Sequence, residues 1–331
     1  MSTDVISTRT EILFVYDVTD ANPNGDPNDE NRPRMDVEAG RAKVTDVRLK
    51  RTVRDYLRDY RGETIFVDQI EKDDGSIQEG KDRAEDFFKQ KAETVLKKRQ
   101  LIEDAVIKQC IDVRLFGATI PVAKVKSSEK DSSVTLTGAV QFAMGGTLHK
   151  VEPRFIKGTG AFASGPGAQQ RTFREEYVLP YGLIAFWGIV NQQAAKTTKL
   201  TNADAEKLYE AIWYGTKNLI TRSKVGQRPL LMVLVEYKTE HANAYIGRLD
   251  RFLSLQPASD ANGAVQDEQI RGPEQITLDL SNLKQALAIR NDKVARLRVA
   301  WDHRLRLSEE PIKSDEGWTF LGLPAENLEY E

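Results

Sequence analysis

Two apolar runs set the terms for how this chain can fold. Residues 11–18 (EILFVYDV) and 230–237 (LLMVLVEY) are rich in β-branched and aromatic side chains, with few polar interruptions. A strand that is apolar on both faces must be covered on both faces. Each run stands beside a helical pattern. Residues 44–60 (VTDVRLKRTVRDYLRDY) place Leu49, Val53, Tyr56 and Leu57 in one sector at about 100° per residue. Residues 183–190 read as a strand, 202–220 as a helix with Asn202 as its N-cap, and 230–237 as the strand that follows. Two strand–helix–strand units predict an α+β fold, a ferredoxin-like (RRM-type) palm whose helices cover one face of the sheet.

The stretch between these units is mixed. Thr64–Ile70 reads as a strand, and 81–109 as one or two helices. Asp112–Ile120 closes them at a glycine break, and a strand follows at 134–142. Next come a Gly-Gly turn, a hairpin reaching Ile156, and the loop GTGAFASGPGAQQ. Beyond Tyr237 the pattern weakens.

Charge is informative locally rather than globally. The 331 residues carry a formal net charge of -2, so the bulk basic excess of many nucleic-acid binders is missing. Residues 31–62 nevertheless hold ten Lys or Arg against five acids, a local +5. Lys50, Arg51, Arg54 and Arg58 share one helix face, a pattern that neutralises phosphates or else forms a solvated face with i,i+4 pairs such as Arg51 with Asp55. Cys110 is the single cysteine, so neither an internal disulfide nor a cysteine metal cluster can form. No apolar run approaches the ~20 residues that a membrane helix needs, and the expected location is the cytoplasm.

Several motifs compete. DANPNGDPNDEN matches the first half of an EF-hand loop at Asp20, Asn22, Asn24 and Gly25. Its closing position is Asn31 rather than Glu, and Pro23 and Pro27 intrude, so Asx-rich turns explain it better than calcium. GTGAFA at 158–163 formally fits G-x-G-x-x-A, yet more glycines and a proline follow where a helix must open. TRSKVGQRP places Arg222, Lys224 and Arg228 between a helix and a buried strand. His149, His241 and His303 stand apart, without a metal-binding or nucleophile motif, so no catalytic residue, metal or cofactor is expected. Asp17, Asp20 and Asp26 gather near a strand end.

The run NPNGDPNDENRPRMDVEAGRAKVTDVRLKRTVRDYL resembles the backbone subunit of type I CRISPR Cascade complexes, in the RAMP superfamily. DVRLFGA, TGAVQF, YGLIAFWGIVN and LLMVLVEY agree in order. The likeness is greatest to the Csh-type (subtype I-B) branch, with the I-C branch second. It implies a single RRM-like domain over 1–331 with a helical insertion at about 61–133 and a thumb-like hairpin and loop at about 143–170. It implies copies of the chain lining a CRISPR RNA, beside other Cascade subunits, for pairing with target DNA in antiviral defence. Phosphate contacts then carry any guide, while base pairing supplies specificity. The RNA-facing residues carried over are Asn22, Asn24, Arg34, Arg41, Lys43, Lys50, Arg51, Arg54, Arg222 and Lys224. The thumb candidates are His149, Lys150 and Arg154. The alternative is a metal-dependent RNA endonuclease subunit of a related complex, with Asp26 or Asp36 as the acid; a scaffold that never touches RNA is a further rival.

Overall fold

The computed structural model describes residues 4–72, 74–88, 92–128, 130–163, 171–260, 263–309, 312–314, 317–320 and 323–327. The chain forms two compact units, each assembled from separate stretches. One comprises Met1–Arg9, Lys50–Gln141 and Ile189–Gly215; the other comprises Thr10–Leu49, Phe142–Gly188 and Thr216–Glu331. Both combine helices with mainly antiparallel sheet.

The second unit is built on the two apolar runs. Strand β1 (Thr10–Ala21) is buried along nearly its whole length. Five further strands complete the centre of the sheet: β2 (Arg41–Val44), β5 (Gly145–Thr147), β7 (Arg171–Val190), β8 (Arg228–Tyr237) and β9 (Val294–Trp301), while β3 (Gly117–Val122) and β4 (Ser132–Thr137) belong to the other unit. Their order is β9–β8–β1–β7–β5–β2. β1 and β8 run antiparallel, Thr10 opposite Glu236 and Asp17 opposite Arg228, with a bulge between Val15 and Tyr16. β8 and β9 are antiparallel as well, Leu231 opposite Trp301. The unbroken apolar pattern is thus that of central strands, where both faces lose water. Leu13, Val15, Leu183, Leu231, Val233 and Leu297 form the core, and Leu283 and Leu287 of a helix at Ser281–Ile289 pack into it.

A carboxylate lies against that core. The Glu11 carboxylate is fully buried. It accepts from Trp187 Nε1 at 2.9 Å, the Tyr237 hydroxyl at 2.5 Å, and the amides of Ile246 and Gly247 at 2.7 Å each. Four donors offset the desolvation of the carboxylate and tie the segment after β8 back onto β1.

A Gly-Gly turn is expected at 145–146, yet both glycines lie in β5, pairing with Lys43 and Val44 on one side and Ala185 on the other. A Cβ on Gly145 would stand 2.6 Å from the Phe186 ring, so the ring excludes any side chain there. The hairpin begins later than the sequence indicates. Strand β6 (Arg154–Ala163) pairs with the first half of β7, Arg154 opposite Val178 and Ala163 opposite Arg171. The tip of the Gly/Ala loop, 164–170, lies outside the described residues.

In the first unit, α1 (Asp46–Arg61) contributes its residues from Lys50 onward, followed by α2 (Gly80–Asp86), α3 (Val95–Gln109) and α4 (Ile111–Phe116). The hairpin of β3 (Gly117–Val122) and β4 (Ser132–Thr137) closes over Ile102, Val106, Cys110, Val113 and Val134. Gly117 joins α4 to β3 with φ +72° and ψ 179°, a region open to glycine alone, and an added Cβ would lie 2.0 Å from the Leu136 carbonyl oxygen.

Thr64–Ile70 forms no strand, because its amides are taken by a side chain: the fully buried Asp112 carboxylate accepts from Phe66 at 2.7 Å and Val67 at 3.0 Å. Helices α5 (Gln192–Thr198) and α6 (Asn202–Lys217) complete this part. The α6 cap is Thr201 rather than Asn202: its hydroxyl accepts the Asp204 amide, and the Asp204 carboxylate accepts the Thr201 amide, each at 3.1 Å.

Candidate nucleic-acid interface

The segment after β1 folds as a small ribbon. Gly25 and Asp26 pair with Pro33 and Arg32, and the turn between them uses left-handed Glu30 and Asn31, with φ of 48° and 56°. Asp26 holds the ribbon from within, accepting the Asn28 amide at 3.1 Å and Arg34 Nη1 at 2.8 Å. A calcium loop needs carboxylates free to turn inward. Here Asp26 is engaged, and among the described residues no group of three metal-ligating side chains is assembled.

Asn22 and Asn24 are structural hubs of this loop. Asn24 Oδ1 accepts both the amide of Thr45 at 2.8 Å and its hydroxyl at 2.9 Å, while Thr45 Oγ1 accepts the Arg48 amide at the start of α1. Asn22 is buried. Its Nδ2 donates to the Asn31 carbonyl at 2.7 Å, and its backbone amide donates to the Ser223 carbonyl at 2.8 Å. That last bond joins the Asn-rich loop to the TRSKVGQRP loop, 201 positions apart in sequence.

Lys224 lies at this junction. Its ammonium contacts Ser223 Oγ at 3.2 Å. Burial first, and the positive charge of Arg48 second, hold its pKa below the ordinary lysine value. A half-buried lysine facing an arginine is an arrangement that an anion relieves. Arg48 is the residue the sequence reading passed over, because it falls outside the face shared by Lys50, Arg51 and Arg54; the only signal for it was the local charge excess. Arg222 is largely exposed, with Glu176 at 3.9 Å. Arg34 pairs with Asp26, and its Nε is buried without a partner. Arg41 is exposed, and Lys43 reaches Asp36 at 3.4 Å. Asp26 and Asp36, the acids of the endonuclease alternative, are therefore both in ion pairs.

Lys50, Arg51 and Arg54 belong to the other unit and have partners there. Arg51 Nε meets both oxygens of Asp55, at 2.7 and 2.9 Å, the i,i+4 pair expected of a solvated face. Lys50 donates to Gln141 at 3.1 Å and lies 5.7 Å from the centre of the Phe116 ring. Arg54 differs in kind: its side chain is 11 % exposed and bonds the buried Asp112 at 2.9 Å, with the guanidinium over Phe116.

Of the thumb candidates, Arg154 opens β6 and is exposed, and Lys150 precedes it. His149 lies inside the fold. It is 1 % exposed, accepts the Leu183 amide at Nε2 at 3.3 Å, and has Nδ1 against the carbonyls of Lys150 and Asp267. Those partners require a neutral ring with its proton on Nδ1. The hairpin instead displays residues that were not singled out. Phe155 packs on Tyr177 across the strands at 4.9 Å between ring centres, and the Arg32 guanidinium stands 4.5 Å from the Tyr177 ring.

The fold has counterparts among solved structures. A chain of a CRISPR RNA-guided surveillance complex superposes with a TM-score of 0.52 at 14% identity, covering 98% of this chain and 95% of that one. A chain of a CRISPR RNA-guided surveillance complex in a pre-nicking state gives 0.52 at 12% identity, covering 92% and 96%. Residues 8–281 match the family described as CRISPR-associated protein Cas7. A CRISPR-associated protein Cas7 of Haloferax volcanii is 34% identical over 338 residues, 95% of this chain and 93% of its own length. The chain belongs to the CRISPR-associated protein Cas7 family.

Proposed function

We propose that the chain is a non-catalytic, CRISPR-RNA-binding backbone subunit. Copies of it line one guide RNA in a surveillance complex, together with other Cascade subunits, and hold the guide for pairing with target DNA. The observation that carries this reading is the junction at Asn22 and Ser223. There the Asn-rich loop and the second basic loop meet beside the half-buried Lys224, on which the positive charge of Arg48 acts. Arg34, Arg41, Lys43 and Arg222 extend the same surface toward phosphates; Lys50 and Arg51, in the other unit, are phosphate contacts of their own. Contacts of this kind bind any sequence, as a guide carrier must.

In this reading Asn22 and Asn24 act mainly by shaping the loop, and Arg54 by holding Asp112. In the same reading β8–β1–β7–β5 serves as the ferredoxin-like palm, and β6 with the outer half of β7 as the thumb. The subtype is I-B and the location the cytoplasm.

The test is co-expression with partner subunits and a CRISPR array, followed by size exclusion and sequencing of any retained RNA. A large assembly holding one discrete array-derived RNA is expected. A nucleic-acid-free monomer alongside well-folded partners would refute the reading. Cleavage of complementary RNA that requires Mg²⁺ and disappears in Asp26→Ala or Asp36→Ala would replace it with the endonuclease alternative.

A further inference from the structure

Beside the first residues of β8 stands a second pair of cations, Arg228 and Arg304, apart from the basic helix. Arg228 is the first residue of β8, and its guanidinium is clamped by Asp17 of β1: Nε to Oδ1 at 2.9 Å and Nη2 to Oδ2 at 2.6 Å. On the neighbouring strand, the turn after β9 places Arg304 in the same state. Its Nε meets Asp302 Oδ1 at 2.8 Å, and its Nη2 meets Asp302 Oδ2. The turn itself is fixed by the Asp302 amide on the Leu230 carbonyl at 2.9 Å and by Trp301 Nε1 on the Leu305 carbonyl at 2.9 Å.

The two arginines are near enough that their charges act against one another. Both spend the Nε–Nη2 edge on a carboxylate, and among the described residues neither has a hydrogen bond from Nη1. Asp17 is fully buried, while the arginine side chains are 32% and 57% exposed. From the solvent side, the acid clamping Arg228 is hidden and Asp302 is 21% exposed, so the two oriented guanidiniums are the more exposed groups. Fixed, apposed guanidiniums with open N–H groups are a receptor for a tetrahedral oxyanion, and the cost of ordering them has already been met in folding.

We propose that Arg228 and Arg304 form a phosphodiester-binding site for the nucleic acid held by this subunit. The inference rests on the RNA-binding reading above and adds to it a site supplied partly by residues past the family match, which ends at 281. Arg228 lies four positions after Lys224, and the Leu230 bond places the Arg304 turn at that same end of β8. The site therefore continues the Lys224 surface across the strand ends, where successive strands stand about 4.8 Å apart.

The strand that supplies the phosphate is either the guide or the target, and the experiment separates them. Complexes assembled with Arg304→Gln are titrated with salt, once for retention of guide RNA and once for capture of single-stranded target DNA. Loss of one phosphate contact lowers the slope of log K against log salt by about 0.7 for a single strand. A drop of that size in the guide titration alone assigns the site to guide phosphates, and in the target titration alone to target phosphates. Arg304→Lys is expected to recover part of the slope, since it returns the charge without the fork.

Unchanged slopes in both titrations, with the wild-type complex still holding RNA, overturn this site and leave the backbone reading intact. An equal drop in Arg99→Gln, which removes an exposed charge from α3, would also overturn it, because the effect would then be general electrostatics. A wild-type complex that holds no RNA would remove the backbone reading and this inference together.

Discussion

Replacing Arg54 with methionine separates two jobs that one arginine on a basic helix can do. If Arg54 serves the fold, the harm appears without any RNA. Asp112 is fully buried and takes three hydrogen bonds, two from the Phe66 and Val67 amides and one from Arg54 Nε at 2.9 Å. Methionine fills similar space over Phe116 but leaves the carboxylate without its counter-charge. Breaking a buried ion pair from one side costs about 3–5 kcal/mol, and the two remaining amide donors argue for the lower end, about 3 kcal/mol. Hydrogen exchange of RNA-free protein reads this locally. The Phe66 and Val67 amides are expected to exchange roughly a hundredfold faster in Arg54→Met, in step with an opening free energy reduced by that amount. The reasoning fails if those amides keep their protection while the assembled complex loses RNA affinity, since Arg54 would then be spending its charge on phosphate rather than on Asp112.

Lys224→Ala is expected to weaken guide retention uniformly across guide sequences and to lower the salt slope by about 0.7, as measured by filter binding at several salt concentrations. Acidification should destabilise the second unit just below pH 6.5. Burial holds the His149 pKa below its ordinary 6.5, so the unfolded chain takes up a proton at a pH where the folded chain does not, and this contribution to stability is present above 6.5 and lost as pH falls. Melting curves between pH 7 and 5 should show the loss, and His149→Gln should flatten it; a rise in stability on acidification would contradict the assignment. Gly117→Ala should cost the first unit about 3 kcal/mol or more, read as a lower denaturant midpoint, because both the backbone angles and the Leu136 carbonyl reject a Cβ.

What the sequence disclosed, and what it hid, follows from the range of the interactions. The buried strands were legible because burial on both faces writes an unbroken apolar run, as in β1 and β8. Helix α1 was legible because its period is local. Strand β7 was read from Leu183 onward, but its outer half, RTFREEYV, carries charges suited to a hairpin and lacks the apolar signature of a core strand. The Gly-Gly pair passed for a turn because nothing in its neighbourhood announces the Phe186 ring that demands glycine. The site was legible only in its pieces. The Asn-rich run and the TRSKVGQRP loop each stood out, but the bond from Asn22 to Ser223 joins distant positions, and so does the approach of Arg48 to Lys224. The fate of Arg54 was hidden for the same reason: Asp112, 58 positions on, has no periodic relation to the helix it neutralises.

Strand β7 has a mechanical consequence. Its twenty residues extend about 66 Å at the usual rise, and its partner changes along the way: β6 up to Val178, then β5 at Ile184, with Pro180 between them giving up one ladder donor. The outer hairpin and the core sheet are therefore one continuous beam rather than an arm fixed to a body by a loop. A load applied at the hairpin reaches β5 as shear along a hydrogen-bonded ladder, the direction in which a sheet yields least. Whatever the hairpin touches is thus held at a distance and angle set by the twist of the core.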